Sequence, residues 1–238
     1  MEGEKITEVV FRDLGLVDYQ KAWDRQEEWF HQLVDFKRDP SGRKRPPQYL
    51  LFCEHPHVFT LGKRGDEKNL LIAKDFLNKI QATYYKTNRG GDITYHGPGQ
   101  VVGYPILDLE MLGIGLKQYV ALLERVMIGL LQKYGISASP MKGATGVWLD
   151  ADHPGKARKI CAIGVRSSRY VTMHGFALNV NTDLDYFTYI NPCGLNTRGG
   201  VTSMEKELGR ELHMQEIKDE LRQIFMEQFQ LQGGQAAS

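Results

Sequence analysis

The chain has 238 residues, 42% apolar and 25% charged, with a formal net charge of +1 at pH 7. That length holds one large domain or two small ones, while the balanced charge gives no bulk case for nucleic acid and no apolar run reaches the roughly 18 residues of a membrane span. Three cysteines, Cys53, Cys161 and Cys193, fit no disulfide framework, and the N-terminus lacks the apolar core of a signal peptide; both point to a reducing, cytoplasmic setting.

Residues 6–14 read as a first strand centred on Val9, Val10 and Phe11, with Gly15 ending it. From Val17 to Phe36 apolar residues recur at helical spacing, and Asp18 stands where an N-cap or first-turn acid belongs. The aromatic stripe of that helix is core material. Lys37 to Gln48 holds three prolines, a glycine and five bases, and reads as an exposed loop. Solvation is its default role, and docking of an acidic partner the alternative.

Tyr49 to Cys53 and Val58 to Leu61 read as short strands around Glu54-His55-Pro56-His57. Cys53, His55 and His57 alternate in a way that invites a zinc reading. No second cluster supplies the remaining ligands, and a turn at His55-Pro56 is the better account. A strand over Gln81 to Asn88 leads into Arg89-Gly90-Gly91-Asp92-Ile93-Thr94-Tyr95-His96-Gly97-Pro98-Gly99-Gln100. Four glycines and a proline in twelve residues exclude a regular helix and mark backbone that turns sharply or is closely approached. The stretch is neither a Walker loop nor a dinucleotide fingerprint.

Val101 to Leu109 follows as a strand whose Gly103 and Pro105 suit an edge or a bulge. Leu116 to Tyr134 is the clearest helix, with Gly135 at the C-cap. After Gly146-Val147-Trp148-Leu149 come two candidate strands, Arg158 to Ser168 and Tyr170 to Asn181, close enough for a tight hairpin. Met214 to Leu231 is helical in pattern, and Gly233 to Ser238 reads as a frayed tail. Strands dominate the centre without sustained β-α-β alternation, so the expected fold is α+β, one domain over residues 1–238, with a mainly antiparallel or mixed sheet.

Cys193 sits in Asn191-Pro192-Cys193-Gly194, a loop setting that presents a thiol, whereas Cys53 and Cys161 lie in apolar runs where cysteine is usually inert. A loop thiol becomes a nucleophile only with a base or positive charge beside it. Lys159, His96 and His174 are the candidates. Strand parity puts Lys159, Cys161 and Ile163 on one face, which makes Cys161 the competing nucleophile.

The stretch from Arg89 to Gln100, then Gly146-Val147-Trp148, Lys159 to Arg166, His174 to Asn181 and Ile190 to Gly194 resemble the lipoyl(octanoyl) transferase family, five motifs in family order. The resemblance runs from about Glu54 to Ser203. It implies a fold like that of biotin and lipoate protein ligases. It also implies transfer of an octanoyl group from octanoyl-acyl carrier protein to a lysine of lipoyl domains, those of 2-oxoacid dehydrogenase complexes and of the glycine cleavage H protein. In that likeness Cys193 matches the acyl-thioester nucleophile and Lys159 the lysine that promotes its thiolate. Arg89, Gly90, Gly91, Asp92, Ile93, Thr94, Tyr95 and His96, then Ala162, Ile163 and Gly164, then Gly175, Phe176 and Ala177, match the segments lining the acyl pocket. No cofactor and no metal is called for, and neither nucleic acid nor membrane is an expected partner. Backbone N–H groups near Gly90-Gly91 or Gly164 are the expected oxyanion donors. The rival readings are an ATP-dependent lipoate or biotin ligase on the same fold and a non-catalytic acyl-binding module.

Overall fold

The computed structural model describes residues 7–42, 44–153, 155–191 and 200–233. Strand β1 (Thr7–Leu16) is followed by helix α1 (Tyr19–Arg38). Gly15 does not end β1. Its φ of +60° and a register shift between Asp13 and Leu16 make a bulge inside the strand. Asp18 caps α1, its Oδ1 accepting from the Lys21 N–H at 3.2 Å. Tyr19, Ala22, Gln26, Phe30, Leu33 and Val34 then fall on one buried face.

Next come β2 (Gln48–Glu54), β3 (Val58–Leu61), α2 (Lys74–Lys79), β4 (Thr83–Lys86), β5 (Ile93–His96) and β6 (Gln100–Ile106). Helix α3 (Leu116–Lys133) precedes β7 (Ser139–Met141), β8 (Ala144–Leu149), β9 (Arg158–Ser168) and β10 (Val171–Asn179). The chain closes with α4 (Met204–Leu208), α5 (Met214–Gln228) and β11 (Leu231–Gly233). Eight strands form one sheet in the order β11-β1-β2-β6-β10-β9-β8-β7, and β4-β3-β5 form a second. Only β1 with β11, β1 with β2 and β3 with β4 run parallel among these pairs. Helices α3 and α5 cover one face of the large sheet through Tyr119, Leu123, Val126, Met127, Leu221 and Phe225. Helix α1 covers the other through Phe30, Leu33 and Val34. The expected α+β architecture with a mixed sheet is the one observed.

Four further expectations need correction. Strand β6 is central, not an edge: it pairs with β2 and β10, and every residue from Gln100 to Ile106 is buried. Gly103 is there because the Phe176 ring of β10 fills the space of its missing side chain. Pro105 lies beyond the last β6–β10 pair, where His174, at φ +57°, diverts β10, so its missing N–H breaks no ladder with that strand. The hairpin turn is Arg169-Tyr170, both at positive φ, with Ser168 already paired to Val171. The C-terminal helix stops at Gln228, and Leu231–Gly233 adds a parallel edge strand to β1.

The basic loop is the fourth, and only at its ends, since residues 38–42, Lys44 and Pro47 are exposed as expected. Lys37 is still helical, and its Nζ lies 2.5 Å from Asp108 Oδ1, while Arg45 pairs with Asp108 Oδ2. Gln48 is buried and accepts the Asp108 backbone N–H at 2.6 Å. The loop's ends are therefore tied to the body, and of its five bases Arg43 lies outside the described residues.

Candidate functional site

Between the two sheets lies a cavity of about 620 Å³. Its floor comes from β9 and β10, at Ala162, Ile163, Gly164, Gly175, Phe176 and Ala177. One wall is the turn and strand carrying Arg89, Gly90, Gly91, Asp92, Ile93, Thr94 and His96, and Lys159 stands at the start of β9. The structure thus brings together three segments far apart in sequence. Tyr95 is not in the lining. The strand pleat turns it to the far side, where it packs 4.8 Å from Tyr186 and hydrogen-bonds His57 Nδ1 at 2.7 Å. Cys193 lies outside the described residues.

The glycines explain how the wall meets the floor. The Gly90 N–H donates to the Val165 carbonyl at 2.9 Å, stapling the turn onto β9. A Cβ on Gly164 would stand 2.8 Å from the Gly90 oxygen, so no other residue permits this approach. That staple engages the Gly90 N–H and removes it from the expected oxyanion donors. Arg89 is buried, donating to Thr60 Oγ1 at 2.9 Å and to the Gly90 carbonyl at 3.0 Å, which fixes the entry to the wall. Asp92 accepts the Ile93 N–H at 2.7 Å and Asn69 Nδ2 at 2.6 Å. Asn69 in turn accepts the Asn191 N–H through its carbonyl at 2.8 Å.

The segment bearing Cys193 is bounded at both ends by groups of this site. Asn191 is tied to Asn69, and Ile190 bridges Leu70. At the other end the Lys159 N–H donates to the Gly200 carbonyl at 3.1 Å, and the Lys159 carbonyl accepts the Thr202 N–H at 2.9 Å. The same residue whose side chain lines the cavity is therefore the backbone anchor of residues 200–202. Its ammonium lies 4.6 Å from the Trp148 ring centroid, a cation–π contact.

The expected sharing of one strand face by Lys159 and Cys161 is not observed. A register shift opposite β8, with Val147 facing Cys161 and Trp148 facing Lys159, inserts Ile160 as a bulge. Ile160 and Cys161 both enter the core under α3, and Lys159 is left toward the cavity. Burial pushes the Cys161 thiol up to about 12 and Cys53 higher still, so neither offers a thiolate near neutral pH. Cys53 and His55 are joined at 3.5 Å, and His55 takes the Tyr104 hydroxyl at 2.7 Å. His57 is turned to another tyrosine, so the alternating Cys-His-His run does not converge.

The two histidine candidates for the base are held neutral. Desolvation first, then the positive field of Arg89, lowers His174 to about 3. His96 is driven well below its ordinary value by burial and then by His55. His96 Nδ1 meets Gln100 Oε1 at 2.8 Å, and His174 Nε2 meets Asn88 Oδ1 at 2.6 Å. Sequence reasoning left out Tyr19, Tyr104, Asn179, Phe187 and Val201, which also line the cavity. Asn179 shares the strand parity of Ala177 and Gly175 and was legible by that rule. Tyr19, from the first turn of α1, carried no signal.

Over residues 18–226 the chain matches the family described as lipoyl protein ligase A/B catalytic domain. It is 56% identical over 209 residues to an octanoyltransferase of Bacteroides fragilis (strain YCH46), covering 88% of this chain and 92% of that one. With an octanoyltransferase of Christiangramia forsetii it shares 53% identity over 227 residues, 94% and 96% of the two chains. Among solved structures, the bi-partite lipoate protein ligase of Thermoplasma acidophilum superposes with a TM-score of 0.67 at 14% identity, over 97% of this chain and 86% of that one. A lipoate-protein ligase A bound with ATP gives 0.66 at 14%, over 97% and 88%. Those two show a shared fold. With the curated relatives and the family match, the chain belongs to the lipoyl protein ligase A/B catalytic domain family, among its octanoyltransferases, which are acyltransferase enzymes.

Proposed function

We propose that this enzyme moves an octanoyl group from octanoyl-acyl carrier protein to a specific lysine of lipoyl domains, through a thioester on Cys193. The observation that carries the reading is the position of Lys159. Its side chain lines the cavity, and its backbone anchors the far end of the segment that holds Cys193. The other cysteines are buried and kept as thiols, which supports Cys193 as the nucleophile beside the resemblance.

In the first half-reaction the Cys193 thiolate attacks the acyl carbonyl and the phosphopantetheine thiolate leaves. One C–S bond forms as another breaks, so the exchange is nearly balanced and draws on no nucleotide. In the second, the lipoyl-domain amine attacks the enzyme thioester, and the C–N bond replaces C–S. The amine must arrive neutral, and Lys159, having given its proton to the departing phosphopantetheine thiolate in the first half-reaction, takes the proton the amine loses. Gly91 and Gly164 remain as backbone candidates for the oxyanion site once Gly90 is engaged by Val165. The acyl chain lies along the floor of β9 and β10, where burial of about six methylenes at roughly 0.8 kcal/mol each favours binding by about 5 kcal/mol before entropy is counted. The 14% identical ligase structures share the fold, but their ATP chemistry requires phosphate contacts. Here the stretch from Arg89 leads into strand β5, and no helix N-terminus follows it.

Two reactions separate the readings. Purified enzyme, octanoyl-acyl carrier protein and an apo lipoyl domain give octanoylated lysine with no nucleotide or metal added. Free octanoate with ATP and magnesium gives none. Product in the second reaction and not the first reassigns the chain to ligase chemistry.

A further inference from the structure

A line of buried amides runs along the cavity wall from β5 to the start of β9. Gln100 and Asn179 are 1% and 4% exposed, and both residues line the cavity. Gln100 Oε1 is held by His96 Nδ1 at 2.8 Å, and Gln100 Nε2 donates to Asn179 Oδ1 at 2.8 Å. Asn179 Nδ2 donates to the Thr202 carbonyl at 2.9 Å. The Thr202 N–H donates to the Lys159 carbonyl at 2.9 Å, and Lys159 returns the contact through Gly200. The links from His96 through Gln100 and Asn179 to Thr202 join buried groups, which makes them stiff, and the last contact, from the Lys159 N–H to the Gly200 carbonyl, reaches an exposed residue.

We infer that Asn179 is a positioning residue for the acyl-transfer step. Its amide fixes the Thr202 carbonyl and thereby sets Lys159 against the end of the segment that carries Cys193. This rests on the proposed function, because it gives Lys159 the proton-transfer role. The geometry favours Asn179 over its neighbours for one reason. Among the described residues it is the side chain that joins the amide line of β6 to residues 200–202, accepting on one side through Oδ1 and donating on the other through Nδ2. Aspartate, of the same shape, cannot donate to the Thr202 carbonyl when ionised. It would set an anion against that oxygen and against nothing else new. Gln100→Glu breaks the line one step earlier without touching Thr202.

The test compares Asn179→Asp and Gln100→Glu with the wild type, each alone and combined with Lys159→Arg, in steady-state and single-turnover transfer to the lipoyl domain. Displacement of a reacting group by a fraction of an ångström to an ångström costs on the order of 10- to 100-fold. The expected result is a kcat lower by that factor in both variants, with KM for octanoyl-acyl carrier protein within about twofold. In the Lys159→Arg background each change is expected to cost less than about threefold, because the group being positioned is already gone. Wild-type kcat in both variants, a raised KM alone, or losses that multiply with Lys159→Arg each overturn the inference, as does failure of both variants to fold. Absence of octanoyl-lysine with the wild-type enzyme instead removes the functional reading beneath it.

Discussion

Lys159 is where a change of one group tests the chemistry most sharply. Lys159→Arg keeps the positive charge and the contact with Trp148, but guanidinium cannot accept a proton at working pH. Transfer to the lipoyl domain is expected to fall by about 100-fold or more, the range of general-base loss. Transfer at the wild-type rate reduces Lys159 to an electrostatic neighbour of the thiolate. Cys161 gives the complementary case. A thiol held near 12 is ionised to roughly one part in 10⁴ at pH 8. Cys161→Ala is therefore expected to retain acyl loading, and loss of loading in a folded Cys161→Ala variant would contradict the account. The sequence suggested Cys161 as a rival because alternation along β9 was assumed unbroken. A single bulged residue, Ile160, reversed the face, and bulges depend on the partner strand's register, which one strand's residues do not encode.

At the scale of elements, the ties between α1, its following loop and β6 are the feature the sequence hid. Five bases among prolines suggested a solvated loop. Asp108 recruits two of the bases, with its side chain only 2% exposed. Asp108→Asn leaves two cations facing a weakened acceptor, and removing one partner of a buried pair typically costs about 3 kcal/mol. A drop in Tm of roughly 6–12 °C is expected for a chain of this size, read by differential scanning calorimetry. A shift under 2 °C shows the clamp to be superficial. Helices α1, α3 and α5 were legible, since a 3.6-residue period and a cap are local signals. Strand β11 was not, because three residues, Leu231 to Gly233, gain strand identity only from pairing with β1. Gly103 misled for a related reason: a glycine in a central strand was accommodating Phe176 from across the sheet.

Across the whole molecule, three buried histidines couple stability to pH. His55 is lowered to about 4 and His174 to about 3, both mainly by desolvation, and His96 is also lowered. The unfolded chain protonates these rings near 6.5 while the folded protein does not. Their contribution is thus complete above that pH and is lost as pH falls from about 6.5 toward 4 and 3. Each ring costs up to about 1.4 kcal/mol per pH unit in that window. Urea unfolding at pH 7.5 and pH 5.5 is expected to show a clear loss of stability at the lower pH, and equal midpoints would mean the rings are solvated. Two of these rings, His96 and His174, also line the cavity whose β9–β10 floor is proposed to hold the acyl chain. The most direct measurement of the central claim is intact-mass analysis with peptide mapping after incubation with octanoyl-acyl carrier protein alone. One octanoyl group on Cys193, absent in Cys193→Ser and discharged by an apo lipoyl domain, is the expected result. An octanoyl group mapped to Cys161 or Cys53, or undiminished transfer by Cys193→Ser, would contradict it.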